Sequence, residues 1–163
     1  MNTDDSIFQR ALSKLLTEIF DGPPGSEAYM LNQGDPGLLR QLESVPASVA
    51  SRRPMPGKTT IAAHVDHVHY GFTLLNRWAA GESNPWADAD WNASWQRSTV
   101  TDNQWRTLRD RLRREAETWQ NVVRTRTVWD DITAAGALSS VAHTAYHVGA
   151  IRQILAATDG VAD

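Results

Sequence analysis

Apolar residues recur at helical spacing in four stretches of the chain. Ile7, Leu12, Leu15, Leu16 and Ile19 predict a first helix over about Ser6–Phe20. Thr3, Asp4 and Asp5 offer N-caps and favourable negative charge at its start, and Asp21-Gly22-Pro23-Pro24-Gly25 ends it. Ile61, Val65, Val68, Phe72 and Leu75 form one stripe of a second helix, about Thr59–Ala80, with Gly81 just past its end. The third helix opens on Thr101-Asp102-Asn103-Gln104, a capping-box pattern. Trp105, Leu108, Leu112, Ala116, Trp119 and Val123 follow it at spacings of three and four. The fourth helix runs from Asp130 or Asp131 to about Ala157. It is the richest in Ala, Val, Ile and Leu, which predicts a central position.

The polar stretches between them are uneven. Residues 22–56 form a long connection with Gly-Asp-Pro-Gly at Gly34–Gly37, a short apolar piece at Leu38–Leu42 worth one or two helical turns, and breakers from Ser51 to Gly57. A connection of that length in a compact domain is often functional. Residues 81–100 read as a surface loop packed down by Trp86, Trp91 and Trp95. No alternating strand pattern and no repeat is visible. The expectation is an all-α, four-helix bundle in a single domain over 1–163, with a long connection between helices 1 and 2.

Composition narrows the chemistry. The 163 residues carry 16 basic and 19 acidic side chains, a formal charge of −3, so there is no global basic field for nucleic acid. Cysteine is absent, which excludes disulfides, thiolate zinc sites and thiolate catalysis by this chain. The acidic N-terminus lacks a signal-peptide layout, and no apolar run approaches the roughly 20 residues of a membrane span. A cytoplasmic protein with no membrane association is expected.

The five histidines fall into two clusters. His143 and His147 stand at i and i+4, on one face of the fourth helix, where two imidazoles can share a divalent metal. His64, His67 and His69 lie on the second helix and can supply a third ligand. At about 100° per residue, His64 lies about 60° from the centre of the apolar stripe, His69 about 80° and His67 about 120°. His64 is therefore expected to point inward and His67 to face water. Three neutral imidazoles leave a coordination position open, an arrangement suited to hydrolytic or Lewis-acid chemistry. Imidazole ligation favours zinc, nickel, iron or copper over magnesium or calcium. An HxxxH pair also arises by chance in helices that merely pack.

The run His143-Thr-Ala-Tyr-His147-Val-Gly149-Ala-Ile151 resembles the terminal motif of the DinB superfamily. Ile61-Ala62-Ala63-His64-Val65 is similar to its earlier histidine-bearing helix, and Gly34-Asp35-Pro36-Gly37-Leu38-Leu39 to a segment of some members. The resemblance spans about residues 6–157. It implies an up-down-down-up four-helix bundle, commonly a homodimer, with zinc or nickel held by three histidines. Carried onto this chain, those are His64, His143 and His147. Relatives in that superfamily include thiol-dependent enzymes such as bacillithiol transferases and a mycothiol-dependent isomerase. The chain differs from the commoner H-H-R-G-Q form of the motif at Tyr146, Val148 and Ala150.

Other residues of the sequence also fit ordinary structural roles. The Tyr146 hydroxyl can orient water or substrate as a catalytic group, but a helical tyrosine more often packs its ring and wets its hydroxyl. Asp66 and Glu117 read as solvated or ion-paired groups, and Arg106–Arg114 as a solvated helix face interrupted by acids. The three loop tryptophans fit a pocket wall over the metal or a cover for the bundle edge.

Two functions follow. The first is a metal-dependent hydrolase, or a transferase using a low-molecular-weight thiol as cosubstrate, acting on a small molecule. The second is a non-catalytic bundle whose metal is structural or absent and which works through protein partners.

Overall fold

A computed structural model describes residues 3–159, and its description is all-helical. In chain order the α-helices are α1 (Thr3–Asp21), α2 (Leu38–Glu43), α3 (Ala47–Ala50), α4 (Ile61–Ala79), α5 (Asp102–Thr125) and α6 (Asp131–Asp159). A single 3-10 turn, Ala93–Trp95, lies in the connection between α4 and α5. The four predicted helices are α1, α4, α5 and α6. The predicted apolar piece is α2, and α3 is a further single turn where the sequence showed only loop. Helix α1 starts at Thr3, so Thr3, Asp4 and Asp5 belong to its first turn instead of preceding it.

The long helices pack as a bundle. Helices α1 and α4 each contact α5 and α6, so they sit diagonally across a ring ordered α1, α5, α4, α6. Leu12, Leu16, Phe20, Ile61, Val65, Phe72, Leu112 and Ile151 meet at the centre, each nearly or fully shielded from solvent. Phe20 and Phe72 make an edge-to-face pair with centroids 5.2 Å apart. The predicted capping box forms: Thr101 Oγ1 accepts from Gln104 N–H, and Gln104 Oε1 accepts from Thr101 N–H.

Helix α6 is not the central one. Its apolar residues run around much of its circumference, and Ile132, Leu138 and Tyr146 are exposed. The most deeply set helix is α4, whose stretch Ile61–Val65 is buried throughout. Total apolar content misled here, because α4 spends several core-facing positions on alanine and histidine.

The connection between α1 and α4 is tied down along its length. Gly37 lies so close to the end of α1 that a Cβ there would stand 2.3 Å from Gly22 N, a contact only glycine permits. Arg152 on α6 bonds Asp35 Oδ2 at 2.9 Å and Pro36 O at 3.0 Å. Glu18 of α1 is buried, and its Oε1 accepts from the backbone N–H groups of Met30 (2.6 Å), Leu31 (2.7 Å) and Tyr29 (2.9 Å). Burial by itself would raise the Glu18 pKa, but the three backbone donors outweigh it and hold the carboxyl below its ordinary range.

Glu18→Ala therefore strands three part-buried donors, and a fully buried one costs about 1–3 kcal/mol when unsatisfied. The variant is expected to lose on the order of 3 kcal/mol in urea denaturation. Glu18→Gln keeps a carbonyl oxygen for the same donors and should lose clearly less.

Candidate metal centre

Helices α4 and α6 each bring two histidines to one end of their shared interface. His143 Nε2 lies 2.9 Å from His147 Nε2 and 3.3 Å from His67 Nε2. One ligand atom from each of His67, His143 and His147 falls within 4.8 Å of the other two, so the group can hold one metal ion. A tetrahedral ion with bonds of about 2.0–2.1 Å places its nitrogens roughly 3.3 Å apart. His64 stands one step further on, with Nδ1 at 2.8 Å from Nδ1 of His147.

The structure corrects one expectation directly. His67 does not face water; it is only 8% exposed. The angle from the core stripe was sound, but a loop covers that side of α4. Trp95 stacks on the His67 ring at 4.2 Å between centroids, and Trp91 lies 5.5 Å away. The loop is pinned across α4 by three contacts. Asp90 N–H donates to the Tyr70 hydroxyl (3.0 Å), Thr60 Oγ1 donates to Ser98 O (3.0 Å), and Arg97 pairs with Asp66 (3.1 Å). The Arg97 pair is the role expected for Asp66.

Proton positions follow from partners. Ser94 Oγ donates to Trp91 O at 2.7 Å, so it accepts from His67 Nδ1–H at 2.8 Å. That fixes the proton of His67 on Nδ1 and leaves Nε2 as a lone pair aimed at the other histidines. With His147 Nε2 turned to the same centre, its Nδ1–H donates to His64 Nδ1. Ser94 and His64 thus play the same part for two different histidines. Ser94 was missed in the sequence, where nothing marked one serine in a polar loop.

Burial keeps the cluster neutral. It pushes the pKa of His64 and of His67 down to about 4 and that of His147 to about 3. Neighbouring imidazoles add to the depression at His67 and His147, and His143 is lowered by burial as well. Neutral imidazoles are the form that ligates metal.

Tyr146 is 70% exposed and sets its ring edge against His147 at 5.1 Å. His69 is half-buried outside the cluster. Arg109 donates to the carbonyls of Leu42 and Glu43, and Arg113 pairs with Glu43, so this part of the arginine face clamps α2. Trp86 and Trp91 wall a cavity of about 500 Å³ between α4 and α6, with His67 and His143 in its lining. Among the described residues, no helix is long and apolar enough to cross a membrane. No protein-family model, curated protein or solved structure matches the chain.

Proposed function

We propose that this chain is a metal-dependent enzyme of the DinB superfamily, a hydrolase or a low-molecular-weight thiol transferase acting on a small molecule. The observation that carries the reading is the convergence of His67, His143 and His147 with Nε2 of His67 freed by its bond to Ser94. The resemblance of His143–Ile151 to the superfamily's terminal motif supports it. So does the four-long-helix bundle, read as the up-down-down-up type.

The first ligand is assigned to His67, with His64 as the partner that orients His147. This replaces the trio of His64, His143 and His147 implied by the resemblance. A divalent zinc or nickel ion in this nest would lower the pKa of a bound water or thiol and polarise an electrophile. The chain's own contribution is to present three neutral nitrogens and to fix two of their tautomers through Ser94 and His64. It also shields the site with Trp91 and Trp95. Any thiol must come as a cosubstrate, because the chain has no cysteine. Leu138 and Tyr146 on the open side of α6 support a homodimer through that helix.

Elemental analysis of the untagged protein beside His143→Ala tests the reading. About one equivalent of zinc or nickel is expected in the parent and none in the variant, with far-ultraviolet circular dichroism unchanged. Metal retained at full stoichiometry in His143→Ala, or refused by the parent after loading with either ion, overturns it.

A further inference from the structure

We propose that the cavity beside the histidines is a binding site for an uncharged, flat, aromatic small molecule, and that the substrate of the centre belongs to that class. The chemical part rests on the metal-site reading; the binding part stands on the cavity itself.

The cavity lies between α4 and α6, and His67 and His143 form part of its wall. An occupant would therefore touch two of the three converging histidines. The rest of the lining is mainly Phe72, Leu75, Trp86 and Trp91. No Asp, Glu, Lys or Arg is among the lining residues. Ser140 is already committed, since its hydroxyl donates to Ala137 O and accepts from Trp119 Nε1. With no metal bound, an ionic group entering here would lose water without gaining a counter-charge, which is costly. Apolar faces and indole rings instead suit a planar ring system. About 500 Å³ lies within the usual range for small-molecule sites.

A glycine makes the same point independently. Gly71 sits in the middle of α4, where glycine costs roughly 0.5–1 kcal/mol relative to alanine. Close packing does not require it. A Cβ at that position would meet only His143 Cε1, at 3.9 Å, an ordinary contact. Gly136 across the cavity is different, because a Cβ there would stand 2.9 Å from the Trp78 ring. The missing side chain at Gly71 therefore keeps open the space in front of His143.

The probe is 2-naphthol, with naphthalene-2-sulfonate as its charged counterpart. Both are titrated calorimetrically into the zinc-loaded and the zinc-stripped protein. Saturable one-to-one binding of 2-naphthol is expected, with the sulfonate at least about tenfold weaker in the zinc-stripped protein. Gly71→Leu fills the cavity and should weaken 2-naphthol binding by tenfold or more at unchanged zinc content. If that variant does not fold, Ser139→Trp on the exposed rim of α6 narrows the same space and carries the same expectation.

Equal affinity for the two probes in the zinc-stripped protein, undiminished binding in the folded filling variant, or no saturable binding overturns the proposal. Zinc bound without 2-naphthol sinks the cavity inference and leaves the metal reading standing. Binding of 2-naphthol by a protein that takes up no metal does the reverse.

Discussion

Replacing His67 with alanine is expected to weaken zinc binding more than replacing His64 does. Closed four-ligand zinc sites are worth roughly 10–16 kcal/mol, so one ligand carries about 3–4 kcal/mol, or two to three decades in affinity. His67 Nε2 lies 3.3 Å from His143 Nε2 with its lone pair directed inward, and its loss removes one of the three converging nitrogens outright. His64 reaches the group only through Nδ1 of His147. Removing a partner of that kind costs about 10–100-fold in metal affinity. His64→Ala should therefore retain zinc at high protein concentration and lose it to a competing chelator sooner than the parent. Ser94→Ala should behave like His64→Ala, because it frees the His67 tautomer without deleting a nitrogen. Competition with a chromophoric chelator across the three variants gives the order. Stoichiometric zinc in His67→Ala, or complete loss in His64→Ala alone, would return the third ligand to His64.

The position of His67 also marks how far the sequence could be read. Three of the four long helices follow from apolar residues recurring at helical spacing, and α6 from its long run rich in Ala, Val, Ile and Leu. The i, i+4 pair on α6 follows from the same geometry, and the two imidazoles do meet, with Nε2 atoms 2.9 Å apart. The third histidine of the group was harder. A helical wheel ranks residues by angle from the helix–helix core, and on that scale His67 looks outward. Its burial comes from Trp91, Ser94 and Trp95, which reach α4 through tethers at Tyr70, Thr60 and Asp66 that no local pattern announces. The same limit hid the role of Glu18. A carboxylate near the end of an amphipathic helix reads as solvent-facing until a loop 11 residues on brings three backbone donors to it. Helix-on-helix packing was legible because it repeats. Loop-on-helix packing was not, because each contact occurs once.

Acidifying the metal-free protein from pH 7 to pH 4 should destabilise it well before its carboxylates titrate. Unfolded histidine ionises near 6.5, whereas burial holds His64 and His67 at about 4 and His147 at about 3 in the fold. The native pKa lies below the unfolded one, so the unfolded chain takes up protons first as the pH falls. The stabilising contribution is complete above about pH 6.5 and drains away as the pH drops toward the native values. One histidine shifted to about 4 accounts for roughly 2–3 kcal/mol by pH 4, a large part of a typical folding free energy. The three losses do not simply add, because a proton on one ring makes the next harder to place. The carboxyls of Glu18 and Asp35 are held below their ordinary values of 4.5 and 3.8, so their share of the loss falls at lower pH. The window from about pH 6.5 to 5 therefore belongs to the histidines. Urea denaturation in chelator at half-unit steps should show stability falling throughout that window, with a smaller slope in His64→Leu. A flat profile from pH 7 to 5 would mean that the folded histidines take up protons in step with those of the unfolded chain. That would contradict the burial that holds their pKa values down.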